Sequence, residues 1–141
     1  MTYLLDTNVV SEMRKIRVGR ADQHLAAWAE SVSPASLCIS AIALQKLEIS
    51  VLLVERRDPE GGVHLRGWLE ERVIPVFSGR TLPVDSSVAI HSAKSHVPDP
   101  RPLRDSLIGA TADLHGLTPV TRNTKDFDYL QSRLLNPWEA I

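Results

Sequence analysis

One cysteine, Cys38, is all the chain contains, so no intramolecular disulfide can form and a reducing compartment fits best. It lies in an apolar stretch and reads as a small core residue rather than a nucleophile. Aromatic residues are only 5% of the sequence, too few for a platform on which single-stranded bases stack unaided. Neither charge sign dominates, with 16 basic against 17 acidic residues. That balance neither announces nor excludes nucleic acid, because a local basic patch can still attract phosphates. No run is long and apolar enough to span a bilayer, so no membrane contact is expected. The amino terminus lacks the basic-then-apolar layout of a signal peptide. A soluble, cytoplasmic protein is the expectation.

Motif absences narrow the chemistry further. The histidines His24, His64, His91, His96 and His115 show no HExxH or other zinc spacing and read as surface or helix-face residues. There is no GxSxG elbow for a serine nucleophile, no phosphate-binding P-loop and no GxGxxG. Repeats, low-complexity stretches and linkers are missing too. At 141 residues the chain suits one domain with a full core.

What is present begins with Tyr3-Leu4-Leu5, a short apolar run that reads as a buried strand and stops at Asp6. A carboxylate there stands where open α/β sheets bind ligands, although Asp6, Thr7 or Asn8 could equally cap the helix that starts near Val9. That helix is expected to run to Lys15 and break at Gly19. Asp22 can cap a second helix carrying Leu25, Ala26, Trp28 and Ala29, closed by Ser33-Pro34. Leu37-Cys38-Ile39 is the next strand. Ser40 then opens a long helix to about Arg57, with Ala43, Leu44, Leu47, Val51 and Val54 at three- and four-residue spacing.

Asp58-Pro59 and Gly61-Gly62 are read as its stop, followed by a helix from about Val63 to Arg72 with Leu65, Trp68 and Leu69 inward. Val73 to Phe77 reads as a helix end leading into extended chain. Leu82-Pro83-Val84 reads as an edge strand or loop, because proline cannot donate to a central ladder. Asp85, Ser86 or Ser87 caps a helix with Val88, Ala89, His91 and Ala93. Three alternate prolines exclude regular structure over His96 to Pro102. A helix from Leu103 to His115 follows, with Leu107, Ile108, Ala110, Thr111 and Leu114 on one side and Gly116 as terminator. Leu117 to Thr121 is a strand, Arg122 to Phe127 a turn and short helix, and Leu134-Leu135 a possible last strand. Trp28, Trp68 and Trp138 read as core or interface anchors. Alternating strands and helices imply a parallel sheet with helices on both faces.

Three aspartates fall beside strand ends. Asp6 follows the first strand, Asp105 sits in the first turn of a helix, and Asp126 follows the strand ending near Thr121. Each has an ordinary reading as a cap or solvated charge, since a helix's first turn favours carboxylates. Crossovers in a parallel sheet nevertheless bring successive strand ends to one edge. Clustered carboxylates suit hard, oxygen-loving ions such as Mg²⁺ or Mn²⁺.

Four blocks in order carry a resemblance: Leu4 to Glu12, the Ile39-Ser40 entry to the long helix, Arg104 to Ala112, and Val120 to Phe127. Together with the closing Leu135-Asn136-Pro137-Trp138 they resemble PIN-domain proteins, more narrowly the VapC-type, FitB-like ribonuclease toxins of bacterial toxin–antitoxin pairs. The resemblance implies a three-layer α/β/α sandwich with a central, mostly parallel sheet, as one domain over residues 1–141. It also implies Mg²⁺ or Mn²⁺ at a carboxylate quartet that hydrolyses RNA, a homodimer, and a hetero-oligomer with a cognate antitoxin whose tail occupies the acidic groove. Residue by residue, Asp6, Asp105 and Asp126 match the family's acids, with Asp6 and Asp105 as expected metal ligands. Thr7, Thr121, Arg122 and Asn123 match the polar lining. Choice of RNA would then rest on basic residues at the rim, among them Arg14, Lys15, Arg17, Arg122 and Lys125.

The pattern fails at one place. The family's second acid stands in a block Ser-x-x-Thr-x-x-Glu-Leu, and here Ser40 to Leu47 carries alanine for the threonine and Lys46 for the glutamate. Glu48 could substitute only through a register shift, because two helical residues turn its direction by about 200°. Lys46 is expected to put an ammonium among the aspartates and weaken divalent-ion binding. The expectation is a scaffold that keeps fold and dimer with little or no nuclease activity. A non-catalytic protein binding antitoxin or RNA through the same groove is the alternative. A phosphotransfer receiver domain is disfavoured, for it needs an adjacent acidic pair after the first strand and a lysine on the last.

Overall fold

The apolar runs form the middle of the molecule. In the computed structural model, which describes residues 1–130 and 133–140, Tyr3–Leu5 (β1), Leu37–Ser40 (β2), Thr81–Leu82 (β3) and Thr118–Val120 (β4) make a sheet in the order β3-β2-β1-β4. Every pairing is parallel. Parallel neighbours need crossovers, and helices supply them. Thr7–Met13 (α1), its 3₁₀ continuation Arg14–Val18 and Gln23–Ser31 (α2) join β1 to β2. Ala41–Arg57 (α3), Pro59–Trp68 (α4) and the short Ile74–Val76 (α5) lead to β3, and Ser86–Ala93 (α6) and Leu103–His115 (α7) lead to β4.

Strand residues alternate between two cores, as a period of two requires. Leu5, Leu37, Ile39 and Val120 pack with Val9, Val10, Leu25, Leu47 and Val51 on one face. Leu4, Cys38 and Leu82 pack with Ile108, Ala112 and Phe127 on the other. The result is the expected three-layer α/β/α sandwich, with α1 to α4 over one face and α7 over the other. Full burial of Leu4 and Leu5 stabilises the sheet by about 1.5–3 kcal/mol each. Trp28 is a core anchor, edge-on to Tyr3 with centroids 5.4 Å apart.

Helix starts follow their caps. Asp22 accepts from the N–H groups of His24 and Leu25, Ser40 from Ile42 and Asp85 from Val88. Gly19 and Gly116, at φ +69° and +64°, end their helices in the left-handed region. β3 lies at the sheet edge, where Pro83 beside it costs no ladder bond. Pro119 is tolerated within β4 because its carbonyl accepts from Leu135 N–H while its missing donor faces no partner in β1.

Several boundaries differ from the sequence reading. α1 starts at Thr7 rather than Val9, directly after its Asp6 cap. Gly61-Gly62 does not stop a helix; α4 begins at Pro59, capped by Asp58 on the N–H of Gly61, and runs through both glycines. Gly62 is there for packing, since a Cβ on it would lie 2.7 Å from Cα of Glu55 in α3. The chain over Val73 to Val76 stays helical: a π-turn at Leu69–Val73, with Ile74 N–H bonded to Leu69 O, leads into α5, whose first turn holds Pro75. Leu114 is exposed rather than on the buried side of α7. The last strand shrinks to one parallel bridge, Val120 to Leu135. No helix among the described residues is long and apolar enough to cross a membrane.

Two outcomes follow from this packing. Gly62→Ala should lower stability by about 1–3 kcal/mol through overpacking of α3 against α4, read as a drop in the urea midpoint; an unchanged midpoint would contradict the close approach. Burial pushes the Cys38 thiol up to about 11, so the folded chain keeps this proton where the unfolded chain has begun to lose it, and stability falls as pH rises through that interval. Iodoacetamide at pH 8 should therefore leave folded Cys38 unmodified and label it in urea; rapid labelling of the folded chain would refute its burial.

Candidate functional site

Strand register makes the first contact. Leu5 lies opposite Val120, so Asp6 and Thr121, one residue further on, emerge side by side at the carboxyl edge of the sheet. The Asp6 side chain is only 5% exposed as a residue, and a carboxylate so buried must be supplied with donors. Its Oδ1 accepts from Thr7 N–H at 2.8 Å and Thr7 Oγ1 at 3.3 Å. Oδ2 accepts from Thr121 Oγ1 at 2.9 Å and Asn8 Nδ2 at 3.5 Å. Capping and site membership are thus not alternatives for Asp6: one oxygen caps α1 while the other faces β4.

Around this carboxylate the loop after β4 is tied down. Thr121 is fully buried and its Oγ1 accepts from Asn123 N–H at 3.0 Å. Asn8 Oδ1 accepts from Arg122 N–H at 3.3 Å. Thr7 and Thr121 join the site through side chains, whereas Arg122 and Asn123 join through backbone N–H groups. The Arg122 guanidinium lies over the Trp138 ring, 5.2 Å from its centroid. Asn8 is the residue that sequence reasoning passed over, weighing it only as a cap. Its signal was an amide two residues past a strand-end aspartate, which can reach both that aspartate and the neighbouring strand's exit.

Lys46 closes the arrangement. Its Nζ stands 3.2 Å from Asp105 Oδ1 and 3.9 Å from Asp6 Oδ1, with the lysine side chain 27% exposed. One ammonium thus lies between two carboxylates brought in from β1 and the first turn of α7. Asp126 forms no ion pair with Lys46. It is exposed, and no group of three metal-binding side chains exists among the described residues. Glu48 faces the other way, as the helical rotation requires: both its oxygens bond Arg66 of α4, at 2.7 and 2.6 Å. Arg66 also binds Glu55, and its guanidinium holds both glutamates below the usual carboxylate range.

The basic cluster after α1 is not beside Asp6. Lys15 pairs with Glu12 at 3.0 Å, and Arg14 lies over Trp68. Arg14 and Arg17 border a separate pocket of about 540 Å³ with Arg72 and Arg80 around Phe77 and Leu37. Leu37 starts β2, which puts this pocket toward the amino ends of the strands. The reason is the direction of α1, which starts at the sheet's carboxyl edge and carries its later residues away from it.

The comparisons with known proteins agree with this geometry. The PIN domain family matches residues 3–131. This chain is a PIN-domain protein. It is 36% identical to Toxin FitB of Neisseria gonorrhoeae over 141 residues, covering 96% of this chain and 97% of that protein. It is 44% identical to Ribonuclease VapC14 of Mycobacterium tuberculosis over 77 residues, 55% of this chain and 72% of that one. Among solved structures, FitAB bound to an IR36 DNA fragment superposes with TM-score 0.86 at 30% identity, covering 99% of this chain and 98% of that one. The crystal structure of FitAcB from Neisseria gonorrhoeae gives 0.84 at 33%, covering 98% and 99%. The PIN-domain chain therefore belongs with toxins of the FitB and VapC kind.

Divalent metal chemistry is the expectation for such a carboxylate site, and the residues present do not fit it. A small divalent cation wants several oxygen donors at about 2.0–2.1 Å. Here two carboxylates face a positive charge, and no cluster of three metal-binding side chains forms among the described residues. The Asp6–Thr121 hydrogen bond is the part of the site that can be tested by stability alone. Thr121→Val should cost about 1–3 kcal/mol in urea unfolding by leaving a buried carboxylate oxygen short of a donor, with Thr121→Ser recovering most of it. A valine variant as stable as the parent would show that the bond does not support the site.

Proposed function

We propose that this chain, as one PIN domain over residues 1–141, is the toxin-type partner of a bacterial toxin–antitoxin pair. Its ribonuclease scaffold is neutralised at the centre by Lys46. The observation that carries this reading is the Lys46 ammonium 3.2 and 3.9 Å from the Asp105 and Asp6 carboxylates. In this reading Asp6 and Asp105 are the acids that would face a metal and Asp126 a further catalytic acid, with Thr7, Thr121, Arg122 and Asn123 lining the groove. Mg²⁺ or Mn²⁺ would supply an activated water for phosphodiester hydrolysis. With a lysine in the acid's place, this chain has little or no RNA cleavage.

Partners follow from relatives rather than from any surface seen bound here. Solved relatives include FitAB on DNA and FitAcB, so we infer a cognate antitoxin, a homodimer, a hetero-oligomer with the antitoxin and a cytoplasmic location. The neutralised groove also favours a second reading, a protein that binds its antitoxin or an RNA there without cutting. Cleavage separates the two. Lys46→Glu should bind Mn²⁺ or Mg²⁺ at least tenfold more tightly than the parent and cut RNA in a metal-dependent way, and Asp6→Asn in that background should abolish cutting. A revertant that gains neither metal affinity nor cleavage sinks the nuclease reading and leaves the binding one. A parent that already cuts as fast as the revertant shows that Lys46 does not disable the site.

A further inference from the structure

A second polar recess of about 370 Å³ lies between α6 and α7, and the ribonuclease reading does not use it. Ser106, Ala110 and Asp113 face it from α7 at i, i+4 and i+7 spacing, one side of the helix. Ser106 is the next residue after Asp105, a Cα step of about 3.8 Å, so the recess begins beside the candidate site and runs two turns down the helix.

Its rim is cationic. Lys94 and Arg101 border it, both exposed, and neither forms an ion pair with a carboxylate among the described residues. Asp113, the acid in the wall, faces His91, with Nε2 3.3 Å from Oδ2. Arg101 is held in place on two sides. Its guanidinium lies 4.0 Å from the centroid of the Tyr129 ring, and its backbone N–H donates to His96 Nδ1 at 3.2 Å. With that nitrogen accepting, the His96 Nε2–H donates to Ser106 Oγ at 2.9 Å, whose own proton goes to Leu103 O at 2.6 Å. This chain of bonds pins the proline-rich segment to the first turn of α7, so the cation is presented by a braced loop.

The floor is mixed. Ala110 and Leu130 offer an apolar patch. The Tyr129 hydroxyl is buried against Gly109 with Ser95 beside it. Two exposed cations with no carboxylate partner among the described residues suit a phosphate, and the apolar patch beside hydroxyls suits a base and sugar. The volume is at the small end of ligand sites, which span about 300–1,000 Å³.

We propose that this recess binds one nucleotide, its phosphate held by Lys94 and Arg101 and its base over Ala110 and Leu130. The ligand chemistry is a nucleoside phosphate, supplied either by a free mononucleotide or by one unit of an RNA strand. The strand form rests on the ribonuclease reading, because it would make the recess a subsite next to Asp105.

The test is binding to the intact chain as it stands, Lys46 included, followed by two-dimensional NMR with AMP as probe. AMP should shift the amides of Ser92, Ser95, Ser106 and Tyr129 first. Lys94→Ala with Arg101→Ala should weaken it at least tenfold. Arg56→Ala with Arg57→Ala, an equal loss of exposed charge on α3, should leave it within twofold. No shifts with AMP, equal weakening by both pairs, or occupation by an acidic peptide such as tri-aspartate but not AMP would each overturn the proposal. An eight-residue oligouridylate binding tenfold tighter than AMP, and losing that advantage in the Lys94/Arg101 variant, identifies the strand as the source; equal affinities identify the mononucleotide. If AMP binds but the Lys46→Glu chain cuts no RNA, the ribonuclease reading falls and the recess stands. If the revertant cuts RNA and AMP leaves the recess untouched, the reverse holds.

Discussion

A buried carboxylate at the end of the central strand is the constraint that the rest of the chain answers. Asp6 leaves β1 between two neighbouring strands with little of it exposed, so its oxygens are satisfied mainly from within. The helix that starts at Thr7 gives one donor, and the exit of β4 gives another through Thr121. Asn8 then bridges the two by bonding both the carboxylate and the Arg122 backbone. The parallel register of β1 and β4 is thereby tied to the placement of the groove. A one-residue slip would turn Thr121 to the opposite face of the sheet and leave Asp6 without its donor.

Much of this was legible in the sequence because it rests on local chemistry. Apolar runs ended by polar residues marked three of the strands, and Asp22, Ser40 and Asp85 marked helix starts by capping preference alone. The family resemblance placed Lys46 against Asp6 and Asp105, and helical rotation turned Glu48 away from them, where the fold pairs it with Arg66. What was not legible depended on distance between elements. Gly61-Gly62 looks like a break when read along the chain, yet Gly62 exists for the approach of α4 to Glu55. Asp126 shares a strand-end setting with Asp6 but is exposed where Asp6 is buried. Arg14 and Arg17 lie near Asp6 in sequence but are carried off by the axis of α1.

The two faces of α7 show how one helix can serve two sites. Its first turn presents Asp105 toward α3, where Lys46 reaches it, while Ser106 looks toward α6 and the recess. Adjacent residues on a helix differ by about 100° in direction, so a site and a neighbouring recess can share a backbone without sharing side chains. The His96–Ser106 bond couples them mechanically, because the loop carrying Arg101 and the turn carrying Asp105 are braced by the same hydroxyl.

The Lys46 contact also inverts the usual relation between a site and the stability of its fold. Carboxylates gathered for a metal repel one another in its absence, and functional sites commonly carry such strain at the expense of stability. An ammonium between Asp6 and Asp105 removes the repulsion permanently. The net gain is modest, because the lysine is part-exposed and withdrawing charges from water returns much of the attraction. A lysine is well suited to this, since its flexible stem lets the charge settle between two acids fixed on different elements. In the proposed reading, the same charge opposes a competing cation at the same oxygens.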